Sequence, residues 1–554
     1  MFKKRDPQHT IFETSYLIPS AKLERLEKSW AEAFRTQALP LIEEARFAPM
    51  YCDHNGRPNI PVQIVLGTLI LKEMFNLTDQ ECLEQVEFNL LWQHALCVTP
   101  EEAHLCQKTL HNFRVRMIEH DFARLAFQTI TDRIIEAGGV KVTRQRLDST
   151  HIVSNIAILT RLGLFCETLR VFLSALKKEH PIRFKKIPEG LLRRYLKENG
   201  TASRYGDVPS SRARRRLAVC GRDVYRLVDH FRGTEVSGLE QYALLERILE
   251  EQCDVLTQPE HPKKDDDDAT EGGIPVRVKA AKEVRSDSLQ TPHDPDVTYS
   301  GHKGKGYEVQ VAETCDEENN MQVITAVEVS ASSSRDTDAT IPVLEELQER
   351  DLQPNEMSAD TAYGSGSNAV EAEKLGTKLI SPVAGRPPAE EDSSDEADPL
   401  TASDFSIDPS YTRPTICPAG HESLGEWEDA NSSNKVEIHF CKQTCDDCPQ
   451  FSRCPVNASP AGATYVLYTD LVKVNIAQRR RFEGTAAFAS QYSIRAGIEA
   501  TNSELKRKHG MGRLRVREKS RVELSVFMKS LSCNIKRFVR HVIASVSENL
   551  SFGV

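Results

Sequence analysis

Apolar positions recur at helical spacing through the first 140 residues. Val62, Leu66, Leu69, Ile70 and Phe75 mark one face of a helix opening at Pro61, a residue suited to a first helical position. Thr78-Asp79-Gln80-Glu81 is a capping box, in which hydroxyl and carboxylate satisfy each other's free backbone amides. It predicts a second helix running to about His94. Thr99-Pro100-Glu101-Glu102 repeats the device, and a longer helix is predicted from about Thr109 to Ala137. That helix buries Phe113, Met117, Phe122, Leu125 and Ile134, and Gly138-Gly139 closes the region.

The period then changes. Lys141–Ser154, with Val142, Leu147 and Ile152, reads as a strand. Residues 157–256 return to helical spacing, starting with Leu162, Leu169, Phe172 and Leu176. Prolines, glycines and the run Asp265–Asp268 make 257–296 an acidic linker. Tyr307, Val309 and Val311, then Val323, Ile324, Ala326 and Val329, predict a hairpin around Cys315–Asn320. A helix over Ile341–Glu349, a strand ending at Met357–Asp360 and a strand over Lys378–Val383 follow. Residues 387–462 form an acidic loop and a cysteine-rich insertion. A last strand is predicted at Ala463–Tyr468, with helix from about Phe488 to the end. The fold class is α/β: an interrupted core in pieces 141–156, 297–386 and 463–554, behind a helical domain over 1–140.

Charge is unevenly spread over the 554 residues, whose net charge is −10. Residues 388–408 hold eight acids and no base, whereas 473–540 hold 17 Lys/Arg against five Asp/Glu. Residues 177–223 hold 14 against five. Separate basic blocks suit a polyanion, because neutralising phosphates releases counterions. The N-terminal helices then read as a DNA-binding helix-turn-helix or as a dimerisation bundle. No apolar run reaches the ~18 residues of a membrane span, and MFKKRDPQHT lacks a secretory pattern. Both point to the cytoplasm and no membrane partner. The 14 cysteines are then free thiols plus a candidate metal site.

Tyr492, Arg495, Glu499 and Lys506 are the densest chemical signal. At about 100° per residue they share an arc of roughly 60°. Ile494, Ile498 and Leu505 fall opposite, so one face packs while the other presents an aromatic ring, two cations and a carboxylate. Cys441-x3-Cys445-x2-Cys448-x5-Cys454, with Cys417-Pro-Ala-Gly420 upstream, has spacing compatible with tetrahedral zinc. His421 and His439 are spare ligands. Gly301–Gly306 lacks the lysine-hydroxyl ending of a phosphate-binding loop, which excludes a nucleotide site there.

The pattern Tyr-x2-Arg-x3-Glu-x6-Lys resembles the C-terminal signature of bacterial insertion-sequence transposases of the DDE class. Leu147-Asp148-Ser149-Thr150 resembles that family's first catalytic strand. Ser358-Ala359-Asp360-Thr361-Ala362-Tyr363-Gly364 resembles its second aspartate block, and Leu531–Arg537 its C-terminal block. Asp296–Val311 resembles the strand pair between the aspartates, and residues 50–117 the N-terminal helical domain. The resemblance implies a ribonuclease-H-like catalytic core in which Asp148, Asp360 and Glu499 bind two Mg²⁺ or Mn²⁺ ions. It implies that Tyr492, Arg495, Lys506 and the basic residues Arg513, Arg515 and Arg517 hold double-stranded DNA. The expected activity is cleavage at transposon ends and strand transfer into target DNA, by a homodimer associated with the nucleoid. The rival expectations are a nuclease of the same fold without strand transfer, and a silent DNA-binding derivative. The helical insertion after Asp148 has no role in that resemblance.

Overall fold

The computed structural model describes the chain apart from residues 6–17, 53–57, 198–204, 208, 257–275, 386–398, 430–431 and 552–554. The aspartate run and most of the acidic stretch near 388–408 lie outside the described residues. Pro61 caps helix α1 (Val62–Met74) rather than occupying its first turn. This helix is buried on nearly every side, including Thr68 and Lys72, because other helices surround it. Phe75, placed on its apolar stripe by periodicity, lies past its end and is 45% exposed.

The capping box at Thr78 forms as expected, with the Thr78 amide donating to Glu81 at 2.7 Å. Helix α2 (Asp79–Phe88) then stops short, because Asn89 is extended and its side chain caps α3 (Leu90–Leu96). Thr99 and Glu102 exchange the same bonds but close only a turn. The long helix expected after it is two, α4 (Gln107–Glu119) and α5 (Phe122–Gly138), broken where Asp121 takes a left-handed φ of 53°. Gly139, at φ 57°, ends the region.

Strand β1 (Arg144–Ile152) enters the main sheet, and the chain then leaves for the insertion. Helices α6 (Arg161–Glu179), α7 (Ser210–Phe231) and α8 (Glu240–Gln252) build a core of their own around Phe165, Phe172, Phe231 and Tyr242. The described part of the predicted linker, from Val276 on, is built into the fold. Val276–Val278 pairs with Cys253–Val255, and Leu289 inserts into the insertion core. Apolar residues within that polar stretch give it something to bury. Asp294, wholly buried, accepts hydrogen bonds from Ser154 Oγ and from the Tyr307 hydroxyl, both 2.6 Å. One carboxylate thus ties the departure point of the insertion to its return.

The sheet continues with β2 (Thr298–Ser300), β3 (Gly304–Thr314), β4 (Ile324–Ala331), β5 (Glu356–Ala359) and β6 (Lys378–Ile380). Its order is β2-β3-β1-β5-β6, with β4 on β3. Strands β1, β3 and β4 pair antiparallel through the predicted hairpin, while β5 and β6 run parallel to β1. Parallel neighbours need crossovers. Helix α9 (Thr340–Glu349) leads into β5, and α10 (Gly366–Lys374) links β5 to β6.

The cysteine-rich stretch contains a second sheet. Strands β7 (Gly425–Asp429), β8 (Ser432–Cys441), β9 (Asn457–Ala458) and β10 (Thr464–Asp470) lie in the order β9-β10-β8-β7. Val436, Ile438 and Phe440 alternate inward onto Phe405 and Leu467. The strand expected to finish the main core, β10, therefore belongs to this smaller sheet. Helices α11 (Leu471–Glu483), α12 (Ala486–Ser493) and α13 (Gly497–Arg507) follow. An irregular segment at 508–518 then runs beside the end of β1, with the Leu514 amide donating to Val153 O at 2.8 Å. It interrupts the continuous terminal helix that periodicity predicts. The last helix, α14 (Lys519–Ser551), packs on α1, α5 and β4, so the N-terminal helices and the main sheet share one core.

Candidate active site

The two aspartates are brought together by strand register. Leu147 of β1 pairs in parallel with Ala359 of β5, and both are fully buried. Side chains alternate along a strand, so the next residue on each, Asp148 and Asp360, faces the opposite side and stands abreast of the other. Asp360 follows the end of β5, and its Oδ1 accepts from the Ala362 amide at 2.8 Å. Asp148 accepts from Arg495 Nη2 at 3.1 Å and from Asn502 Nδ2 at 3.2 Å. Burial pushes the Asp148 carboxyl above its ordinary range. The nearby Asp360 charge adds to this and Arg495 opposes it.

Arg495 and Asn502 flank Glu499, four residues after the first and three before the second. That spacing keeps all three on one side of the helix, and Glu499 is exposed there. Ile498 and Leu505 are fully buried on the opposite face, as the sequence pattern predicts. The helix is not uniform: Ile494–Ala496 tightens into a 3₁₀ turn between α12 and α13, which shifts Tyr492 from a constant helical phase. Ile494 is half-buried, and its carbonyl accepts from Arg146 Nη1 at 3.0 Å. Tyr492 stacks on Phe488 with ring centroids 5.4 Å apart, and burial raises its phenol while both aspartates act on it. Lys506 is half-buried, and burial lowers its ammonium below the usual lysine range.

A buried carboxylate that sequence reasoning missed holds this helix in place. Glu313 of β3 is wholly buried. It accepts from Arg146 Nη2 of β1, Thr501 Oγ1 of α13 and Arg537 Nη1 of α14, each at 2.6 Å. A Cβ on Gly497 at the same junction would lie 1.9 Å from Arg146 Nη1, so the guanidinium bonded to Glu313 would have to move. Asn502 was missed as well. An asparagine on the carboxylate face of α13 was its only sequence signal.

Arg513, Arg515 and Arg517 are exposed, yet each donates to backbone carbonyls. Arg513 reaches Ile156 O at 3.0 Å, Arg515 reaches Asn76 O at 3.0 Å, and Arg517 reaches Asn155 O. They stitch the 508–518 segment to the end of β1 and to the N-terminal helices.

Two stretches of the chain match family models. Residues 416–539 match the family model of the transposase DDE domain. Residues 22–116 match the model of a transposase domain, DUF772. Both matches indicate a transposase function. Together they support a DDE transposase of the insertion-sequence type, and they imply DNA as a partner. The first match contains Arg495, Glu499 and Lys506; neither reaches Asp148 or Asp360. No curated protein and no solved structure matches the chain. Among the described residues, no helix is long and apolar enough to cross a membrane.

DDE transposase domains generally use divalent metal ions, and the donor set here suits a hard cation. Asp148, Asp360 and Glu499 offer only oxygen, and Asn502 Oδ1 beside Asp148 is buried with no hydrogen-bond donor. The oxygens of these three carboxylates do not all lie within 4.8 Å of one another. Among the described residues, the trio whose ligand atoms all lie within that distance is Glu504, His509 and Cys533. Glu504 is already paired with Arg537 and Lys536, which counts against a cation there.

Proposed function

We propose that the chain is a DNA transposase that cleaves at transposon ends and joins them to target DNA, with Asp148, Asp360 and Glu499 as its catalytic carboxylates. The observation carrying this reading is the parallel register of Leu147 with Ala359. It sets Asp148 and Asp360 abreast, on the side where the residues flanking Glu499 bond Asp148. Antiparallel strands around β1, parallel strands beyond it and a carboxylate-bearing helix against it support a ribonuclease-H-like core. Bound Mg²⁺ or Mn²⁺ ions, two in this reading, would activate the attacking oxygen and neutralise charge on the leaving oxygen.

The chain's own residues do the rest. Asp148 and Asp360 would hold the ions from the sheet, and Glu499 would complete the site from α13. Arg495, which donates to Asp148, would be available to a DNA phosphate once that carboxylate serves as a metal ligand. Lys506 places a half-desolvated ammonium along the same helix for a second phosphate. Tyr492 presents its ring beside the aspartates to the DNA at the cut. Arg513, Arg515 and Arg517 border this surface, their guanidinium edges shared between backbone carbonyls and phosphates. Water displaces the 3′ oxygen at the element's end, and the freed 3′-hydroxyl then displaces a phosphodiester oxygen in target DNA. Joining two ends calls for two copies of the chain.

The test uses DNA carrying the inverted repeats that flank this gene. Full-length protein is expected to nick and join it with Mg²⁺ or Mn²⁺, and not with chelator. Cleavage without joining would establish the nuclease instead. Binding without cleavage under either ion would establish a silent DNA-binding protein.

A further inference from the structure

We infer that Cys417, Cys445, Cys448 and Cys454 form a tetrahedral structural zinc site in the small β unit, with Cys441 outside it. The spacing alone pointed to Cys441 as the fourth ligand, and the fold replaces it with Cys417.

All the cysteines among the described residues are free thiols, and five of them line one cavity of about 370 Å³ with His421. Three turns carry four of these thiols to the cavity wall. Cys417-Pro418-Ala419-Gly420 closes on itself, with Gly420 at φ 87° and its amide donating to Cys417 O at 2.8 Å. The His421 amide then donates to Cys417 Sγ at 3.4 Å. Cys445 and Cys448 lie on one helical turn, the Cys448 amide donating to Cys445 O at 3.1 Å. The Val456 amide acts to lower the Cys454 thiol against its burial. Backbone N–H groups directed at sulfur are what a thiolate ligand needs around a metal.

Cys441 is placed differently. It precedes the short helix Lys442–Asp446, acts on Cys445 less than Cys454, Cys417 and Cys448 do, and is not among the thiols acting on Cys454. The four sulfurs share this cavity, but no three of them lie within 4.8 Å of one another, so binding would draw the C-x2-C turn and two separate loops together around Zn²⁺. On binding, the four thiols release their protons to solvent and no electrons move. The unit has reason to need the metal. Its core is little more than Phe405, Val436, Ile438, Phe440, Leu467 and Leu471, and units below about 70–80 residues rarely hold together on so small a core. Helix α11 grows directly from β10, so the zinc would also steady the lead-in to the helices bearing Tyr492 and Glu499.

The experiment uses the full-length protein purified without chelator. Metal content is measured, and alkylation of each cysteine is mapped by mass spectrometry before and after zinc removal. About one zinc per chain is expected, as for a single Cys₄ site. Cys417, Cys445, Cys448 and Cys454 should be protected until the zinc is removed, and Cys441 should react in both states. Metal-free protein, disulfides among the four, or Cys441 protected in place of Cys417 would each overturn the assignment. As a second arm, Cys441→Ser should keep its zinc and Cys417→Ser should lose it. In the native chain the protection pattern decides even if Cys417→Ser fails to fold.

Discussion

Asp148 works against its own burial. Removing water from a carboxylate disfavours its charge, and Asp360 alongside disfavours it further, whereas Arg495 offsets part of both. A metal ligand must be ionised, so cleavage should fall as pH drops through a value above the ordinary aspartate range. Arg495→Gln removes the opposing cation and raises that value again. The acid limb of the cleavage profile is therefore expected to move to higher pH in this variant, beyond any fall in overall rate. A limb left unmoved in matched pH–rate profiles would show that Arg495 does not govern Asp148. At this scale the sequence points to the proposed carboxylates because their chemistry is local. Asp148, Asp360 and Glu499 each sit in a short recognisable string. Asn502 and Glu313 do not, because their partners lie 354 and 167 residues away and only the fold names them.

Helix α13 is held by a charge network rather than by its apolar face alone. Glu313 is the one anion shared by arginines from β1 and α14, and it also accepts from Thr501. Removing one partner of a buried ion pair leaves the other charge stranded, a loss of about 3–5 kcal/mol. Glu313→Gln is expected to lose stability on that scale in urea unfolding, with cleavage falling further than DNA binding as Glu499 shifts. A loss under about 1 kcal/mol would mean that the arginines find solvent and that Glu313 is not the anchor. Element types were mostly legible from periodicity: β1, the β3–β4 hairpin, α9, β5 and β6 fall where the pattern puts them. The failures have local causes. Asn89 and Asp121 break helices through backbone conformations that apolar spacing does not encode. Strand β8 lay hidden among cysteines whose spacing drew the reading toward metal chemistry.

Across the whole molecule, two excursions from the main sheet have cores of their own, and neither separates the carboxylates. Asp294 closes the first by binding both of its ends. The second returns through α11 to the helix that carries Glu499. Pairing of β1 with β5, across more than 200 residues, is what brings the distant aspartates abreast. The most direct measurement is single-turnover cleavage of repeat-end DNA by Asp148→Asn, Asp360→Asn and Glu499→Gln, with DNA affinity measured in parallel. Each variant is expected to lose cleavage by at least about a thousandfold while binding the DNA nearly as well as the parent chain. Near-parental cleavage by any one of the three would contradict the account and remove that residue from the site.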